Sequence, residues 1–254
     1  MQTQPRIADH ESPRRLQVAL AKTPGEVIEA QQLRYRIFSE ELGARLESES
    51  TGLDSDAFDP FCDHLIVRDA GRQEVVGTYR LLPPAAARAA GRLYSESEFD
   101  LARLDGIRSD LVEVGRSCVH PEHRGGRVIS MLWSGICEYM TTRGHRYLAG
   151  CASIGLADGG RNAAAIYAQL AAAHAAPAEW RVFPRVPLPL DALEPARDVK
   201  LPPLIKGYIR AGASICGEPA WDPDFNTADL FVLLPLERFA QRYAARFMGE
   251  SAAA

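Results

Sequence analysis

The chain has 254 residues, 46% of them apolar, and a formal charge of −4 from 29 basic and 33 acidic side chains. A chain this long and this apolar buries a sizeable core, which excludes wholesale disorder. Charge divided this evenly, with no long tract of either sign, argues against a nucleic-acid binder, whose phosphate contacts need concentrated positive charge.

Five cysteines (Cys62, Cys118, Cys137, Cys151 and Cys216) are an odd number without CxxC spacing. They fit a reducing compartment and indicate neither a disulfide scaffold nor a zinc site. The first residues contain no apolar signal core, and no segment reaches the roughly 18 to 20 apolar residues that span a bilayer, so a cytoplasmic location is expected.

Residues 1–14 are polar and read as a flexible segment, after which Leu16, Val18 and Leu20 alternate as in a strand. Thr23-Pro24-Gly25-Glu26 is a helix start, with threonine as cap, proline at the first helical position and glutamate at the third. That helix is predicted to reach about Leu42, with Ile28, Tyr35, Phe38 and Leu42 near one face. An acidic loop from Glu47 to Asp63 leads to two strands, 65–68 and 75–82, paired around Asp69-Ala70-Gly71-Arg72. A strand over 111–119 follows, then a helix over 128–142 with Met131, Ile136 and Tyr139 toward the core.

A strand over 147–154, a glycine-rich turn and an alanine-rich helix over 162–176 come next. The stretch 177–203 is too rich in proline for a central strand. It is followed by 204–210, a strand or short helix, then by a strand over 229–234 and a helix over 235–248. Strands alternating with helices in mid-chain, flanked by antiparallel material, predict an α/β fold with a mixed central sheet flanked by helices and an elaborated C-terminal region.

The run from Leu111 to Ser130 carries the most chemistry. A strand ends at Pro121, a turn with Gly125 and Gly126 follows, and an apolar helix begins. Amides at such a helix start can donate to phosphate oxygens, the glycines permit close approach, and Arg124 and Arg127 add charged donors. The same run also suits a tight strand-to-helix turn with solvated arginines.

Strand, Val119-His120-Pro121-Glu122-His123-Arg124-Gly125 and helix resemble the donor-binding signature of the acetyltransferase superfamily. Gly126 occupies the variable position of that signature, and Arg127 stands where the next glycine is common. Leu33 to Phe38, Phe58-Asp59, Asp63-His64, Gly77 to Leu82 and Glu113 to Arg116 resemble the front half shared by acyl-homoserine-lactone synthases and bacterial ornithine-lipid acyltransferases. Leu201-Pro202-Pro203-Leu204-Ile205-Lys206-Gly207-Tyr208 and Asp222-Pro223-Asp224-Phe225-Asn226-Thr227-Ala228-Asp229 resemble only the second family.

The resemblance covers residues 16 to 248 and implies an L-ornithine Nα-acyltransferase, with residues 15–254 forming one acyltransferase domain. Such an enzyme transfers a 3-hydroxyacyl group from acyl carrier protein to the α-amine of ornithine and forms lyso-ornithine lipid. Its donor is the acyl-phosphopantetheine of the carrier protein, and no cofactor stays bound. Arg124, Gly125, Gly126, Arg127, Val128, Ile129 and Ser130 would then hold the phosphopantetheine.

Amide formation from a thioester needs a deprotonated amine and, at the end, a protonated thiol. Glu113, inside an otherwise apolar strand, is the candidate base, because burial there raises a carboxyl pKa. The other reading of Glu113 is a salt bridge on one side of the sheet. Regular alternation puts Glu113 and Arg116 on opposite faces, and a bulge near Gly115 would bring them together and splay the strands for the acyl arm.

Arg80 and Arg116 are candidates for the acceptor carboxylate, and Asp59 and Asp63 for its amines; the four equally suit a structural ion network. Tyr167, on a helix resembling the superfamily's late helix, is the candidate acid or else a packing residue. His120 and His123 lack a third ligand, so no metal site is expected, and Ser153 and Cys118 have no adjacent activating partner for covalent catalysis.

Arg238, Arg242 and Arg246 form a basic stripe beside Leu236, Phe239, Tyr243 and Phe247. That pattern suits acidic carrier protein, transient contact with the inner face of a membrane, or an ordinary closing helix. The alternative functions are an acyl-homoserine-lactone synthase, a CoA-dependent amine acetyltransferase and a non-catalytic acyl-carrier-binding module.

Overall fold

The structure is a computed structural model that describes residues 16–46 and 48–239. The polar segment 1–14 and the part of the closing helix that bears Arg242, Tyr243, Arg246 and Phe247 lie outside the described residues. The strands are β1 (Leu16–Leu20), β2 (Asp63–Asp69), β3 (Glu74–Leu82), β4 (Phe99–Asp100), β5 (Leu111–Val119), β6 (Tyr147–Gly155), β7 (Phe183–Pro184), β8 (Ser214–Ile215), β9 (Ala220–Asp222) and β10 (Thr227–Pro235). The α-helices are α1 (Pro24–Tyr35), α2 (Pro84–Ala89), α3 (Arg127–Arg143), α4 (Arg161–His174) and α5 (Pro203–Ala211).

The main sheet runs β1-β2-β3-β5-β6-β10-β8, with β9 also paired to β10. Its neighbours are antiparallel except β5 and β6, which are parallel. Strand β10 is buried on both sides: Leu230, Val232 and Leu234 join the core beneath α3, α4 and α5, while Phe231 and Leu233 join Phe99, Leu101 and Leu104 on the opposite face. Residues 84–110 and α1 cover that second face. This is the mixed sheet flanked by helices that the pattern predicts.

The cap of α1 forms as read: the Glu26 amide donates to Thr23 Oγ1 (3.3 Å), and Glu26 Oε2 accepts from the amides of Lys22 (2.7 Å) and Thr23 (3.1 Å). The helix does not run on regularly to Leu42, because residues 36–41 form a widened π turn. Ile28 and Leu42 are 42% and 65% exposed, and the buried stripe is Ala30, Leu33, Arg34 and Ile37. The predicted face missed it because an arginine sits inside the stripe.

Arg34 is fully buried and pins the acidic loop to the helix. Its Nε lies 2.8 Å from Asp54 Oδ2, its Nη2 lies 2.9 Å from Asp59 Oδ2, and Nη2 also donates to the Asp54 carbonyl. Burial alone would raise the Asp59 pKa, but the charge and hydrogen bonds of Arg34, aided by Arg80, hold it down to about 2.

Helix α3 lies close on the sheet, since a Cβ on Gly77 of β3 would come within 2.4 Å of Val128 Cγ1. Ile136 and Tyr139 are buried as predicted, with Leu132 and Met140, whereas Met131 is half-buried. The proline-rich stretch adds only the two residues of β7, paired with β4, and residues 204–210 are helical, within α5. At the chain's far end the Leu236 amide bonds the Arg146 carbonyl (2.8 Å), Arg238 donates to Ser214 Oγ (3.1 Å) and Phe239 stacks on Trp133 at 6.0 Å. Among the described residues no helix is long and apolar enough to cross a membrane.

Two irregularities break the centre of the sheet. Strands β5 and β6 pair at Leu111–Tyr147, Val112–Leu148 and Glu113–Ala149 and no further, while β6 stays paired to β10 out to Gly155. On the other side of β5, Thr78 faces Cys118 but Arg80 faces Gly115, so β5 carries one extra residue at Arg116–Ser117. Arg116 takes the left-handed conformation there, with φ of 51°. The bulge lies next to Gly115, and it puts Arg116 on the same face as Glu113.

Two stability measurements follow. A Cβ on Gly150, where the strands part, would lie 2.1 Å from the Val114 carbonyl oxygen. Gly150→Ala is therefore expected to cost about 2 kcal/mol or more in urea unfolding. Gly155→Ala, which meets nothing within 4 Å, is expected to shift it little. Asp59 stabilises the fold fully above its unfolded pKa near 3.8, and that contribution, about 2 kcal/mol, is lost as pH falls from there through about 2. Asp59→Asn should destabilise at neutral pH by about 3 kcal/mol or more, because Arg34 loses a buried partner, and should flatten the acid limb of the stability profile.

Candidate active site

A cavity of about 160 Å³ lies where β5 and β6 part. Tyr79, Val114, Leu204 and Tyr208 line it from the side of α3, α4 and α5; Arg80, Glu113, Arg116, Cys151, Ser153 and Asp229 line it from the side of α1. The opening therefore passes between the central strands.

One wall is cationic and internally compensated. Arg80 Nη1 lies 2.7 Å from Asp56 Oδ1 and 3.5 Å from Asp59 Oδ1. Arg116 places Nη2 3.2 Å from Asp56 Oδ2 and Nε 3.2 Å from Asp54 Oδ2, and it lies over the rings of Tyr94 (5.0 Å) and Phe225 (4.8 Å). With Arg34 these make three guanidinium groups set against three carboxylates. Asp56 keeps its charge: burial pushes its pKa up, but Arg80 and then Arg116 bring it below the usual range.

Glu113 sits at the last position where β5 pairs with β6. Its carboxylate accepts the amides of Tyr94 (2.6 Å) and Ser95 (2.8 Å) and the Ser95 hydroxyl, so it fixes the segment that closes the cavity. Burial nonetheless outweighs those donors and raises its pKa. Ser95 Oγ also lies 3.2 Å from Cys151 Sγ.

The opposite wall is acidic. Cys151 and Asp229 line it, and Glu98, behind the lining, brings one oxygen within 4.8 Å of the Cys151 sulfur and an Asp229 oxygen. Burial, and then the charge of Asp229, pushes Glu98 up to about 9, and burial also raises Asp229. Both effects favour the protonated form of the pair. A divalent ion would fit this spacing only by displacing the proton of the Cys151 thiol, which burial holds on in the metal-free site. Asp222 lines the same wall, its Oδ1 accepting the amides of Asp224 (2.8 Å) and Phe225 (3.1 Å). Between the walls the hydroxyls of Tyr79 and Tyr208 lie 2.7 Å apart, and burial keeps both phenols protonated.

Of the residues singled out from the sequence, Arg80, Glu113 and Arg116 meet in this cavity. Asp59 lies behind Arg80, held by Arg34. Asp63 points elsewhere and accepts from the Tyr139 hydroxyl at 2.7 Å. Tyr167, half-buried on α4, is not among the lining residues, and the cavity's hydroxyl pair is Tyr79 and Tyr208. His120 and His123 stack edge to face at 5.8 Å in the loop after β5.

The donor loop lies at the far end of β5, outside the cavity lining. Gly126 takes a φ of 93°, and Cβ atoms on Gly125 and Gly126 would meet nothing within 4 Å. The helix's first backbone bond runs from Ser130 to the Gly126 carbonyl (3.1 Å), which the Ser130 hydroxyl also bonds (2.9 Å). The amides of Arg127, Val128 and Ile129 therefore belong to a first turn with no carbonyl four residues back. Arg124 grips Glu41 through both oxygens (2.6 and 2.7 Å) and bonds the Val119 carbonyl through Nε (3.1 Å). Arg127 is exposed, and Val128 is buried against Gly77.

Sequence reasoning missed Tyr79, Ser95, Glu98, Cys151, Tyr208, Asp222 and Asp229 as site residues. Asp229 carried the signal that revealed Glu113, a carboxyl inside an apolar strand. Tyr94 to Glu98 lie in short 3₁₀ turns and irregular chain with no periodicity to read.

Comparison with known proteins places this geometry. The Acetyltransferase (GNAT) domain family matches residues 33–134. The L-ornithine N(alpha)-acyltransferase of Brucella abortus (strain 2308) is 37% identical, covering 93% of this chain and 90% of the relative. That of Agrobacterium fabrum (strain C58) is 38% identical over 93% and 86%. The solved structure of the AHL synthase LasI superposes with a TM-score of 0.52 at 13% identity, over 88% of this chain and 91% of that one, which is a likeness of fold. By its near full-length identity to these relatives, the chain belongs to the L-ornithine Nα-acyltransferase family.

Proposed function

We propose that the protein transfers a 3-hydroxyacyl group from the phosphopantetheine thioester of acyl carrier protein to the α-amine of L-ornithine, forming lyso-ornithine lipid. The observation that carries this reading is the cavity at the strand split, which gathers Arg80, Arg116, Glu113 and a phenol pair at one point in a chain of this family. The thioester arm enters between β5 and β6, where β5 from Val114 onward has no β6 partner for its backbone. The donor loop at Arg124 to Ser130 takes the phosphate through first-turn amides and Arg127.

Arg80 and Arg116 hold the ornithine carboxylate, sharing their donors with Asp56. Glu113, through the Ser95 hydroxyl, accepts a proton from the α-ammonium. The freed amine attacks the thioester carbonyl, the C–N bond forms, and the C–S bond breaks. The departing sulfur takes a proton from the Tyr79–Tyr208 pair, and the second proton that the nitrogen sheds on becoming an amide returns to that pair, so the phenols are restored and the proton held by Glu113 is released to solvent. Contact with acidic carrier protein, and transient contact with the inner face of a membrane, are assigned to the closing segment that begins at Leu236 and Arg238.

The reading is tested with purified protein, a defined 3-hydroxyacyl carrier protein or acyl-CoA, and a panel of amino acids, with products identified by mass spectrometry. N-acyl-ornithine from the carrier-protein donor is expected. Use of acetyl-CoA alone, or a lactone with methylthioadenosine, would overturn it. Glu113→Gln should lower kcat by about 100-fold or more while the fold, followed by circular dichroism, persists. In the wild type kcat should rise with pH through a pKa above the ordinary carboxylate range, as Glu113 loses its proton. Tyr208→Phe should lower kcat more than Tyr167→Phe does.

A further inference from the structure

The two walls of the cavity differ in one respect that the acyl-transfer chemistry leaves unused. The arginine wall is balanced charge for charge by Asp54, Asp56 and Asp59. Glu98 and Asp229 have no such balance: neither forms a salt bridge among the described residues, and burial and neighbouring carboxyls raise both. Asp229 is 4% exposed and lines the cavity, and Glu98, Ser153 and Thr227 around it leave its Oδ1 buried without a hydrogen-bond partner.

A buried carboxylate oxygen without a hydrogen-bond partner, on a residue that lines a cavity, costs stability unless a ligand completes it. The missing partner is a compact cation with several N–H donors, because Asp229 and Asp222 line one side of the cavity and Glu98 brings an oxygen within 4.8 Å of Asp229 behind it. A primary ammonium, with three donors and one charge, has that form. On the acyl-transfer reading, on which this step rests, the amino acid's carboxylate lies at Arg80 and Arg116 and its α-amine near Glu113. Its side chain is then the part that reaches the acidic wall.

We propose that Asp229, with Glu98 and Asp222, is the specificity subsite that binds the side-chain ammonium of the acceptor and so selects a diamino acid over an uncharged one. Two of these residues bracket the run Asp222-Pro-Asp-Phe-Asn-Thr-Ala-Asp229, and the antiparallel pairing of β9 with β10, Asp222 opposite Thr227, delivers both to one wall. A function is thereby given to that part of the sequence.

The test is a competition in one vessel between ornithine and norvaline, which has the same carbon chain without the terminal amine. The ratio of the two acylated products is read by mass spectrometry, and it cancels differences in the amount of folded enzyme. Wild type should favour ornithine strongly, and Asp229→Asn should cut the ratio by about tenfold or more, because a site built to bond an N–H discriminates hard against its absence. Glu98→Gln should move it in the same direction.

An unchanged ratio in the variants, or no preference in the wild type, would overturn the subsite and leave the acyl transfer intact. Failure of the wild type to acylate either amino acid would instead sink the transfer reading. A stoichiometric divalent metal in the purified protein that is lost in Asp229→Asn would assign the wall to a metal and also overturn the proposal. If Asp229→Asn gives no product, Asp222→Asn, at the half-buried edge of the wall, decides by the same ratio.

Discussion

Everything at this site follows from the fact that β5 and β6 stop pairing after Glu113 and Ala149. Parallel strands at the centre of a sheet normally stay paired, because a buried backbone group without a partner is costly. Here the parting is built in on both flanks. The bulge at Arg116–Ser117 bends β5 while β3 follows it, and the long antiparallel ladder with β10 keeps β6 straight. Gly150 lets the strands touch at the fork, with no room for a Cβ against the Val114 carbonyl. The gap exposes backbone donors and acceptors where a thioester arm carrying its own amides can meet them.

The bulge also changes which residues share a face. Without the inserted residue Arg116 would point into the core beneath α3; with it, Arg116 joins Arg80 and Glu113. Placing guanidinium groups on a largely buried face is tolerable because the loop after α1 brings Asp54, Asp56 and Asp59 to meet them. Arg34 fixes that loop from a wholly buried position. The ion cluster thus does structural work first, and its outer members, Arg80 and Arg116, keep donors directed at the cavity. The two readings of these residues, ligand contact and ion network, are compatible: the network holds the arginines in place.

Much of this was legible in the sequence, for physical reasons that can be named. The cap of α1 and the strand over 111–119 rest on local chemistry and came through with their boundaries nearly unchanged. Glu113 and Arg116 were visible because charge inside an apolar strand needs an explanation. The π turn after Tyr35 was not, since no local residue pattern marks a widened turn inside a helix. The Tyr79–Tyr208 bond joins residues 129 positions apart, which no local pattern encodes. Asp63 read as a candidate for the acceptor's amines, and the fold turns it toward Tyr139 instead.

The two faces of the sheet explain how one cavity can serve substrates of opposite polarity. The side of α1 supplies the charges: arginines, Glu113 and the carboxyl wall. The side of α3, α4 and α5 supplies Tyr79, Val114, Leu204 and Tyr208, whose surroundings are the main apolar core. On the proposed reading a small zwitterion is held by charge on one side and an acyl chain is accommodated from the other. The split between β5 and β6 is where the two environments meet, so only the thioester carbon and the amine need share the same space. The phenols line the cavity at that boundary, where burial keeps them protonated. Continuous pairing of β5 with β6 would remove the boundary while leaving every one of these side chains in the sequence, which is why the strand split, more than any single residue, defines the site.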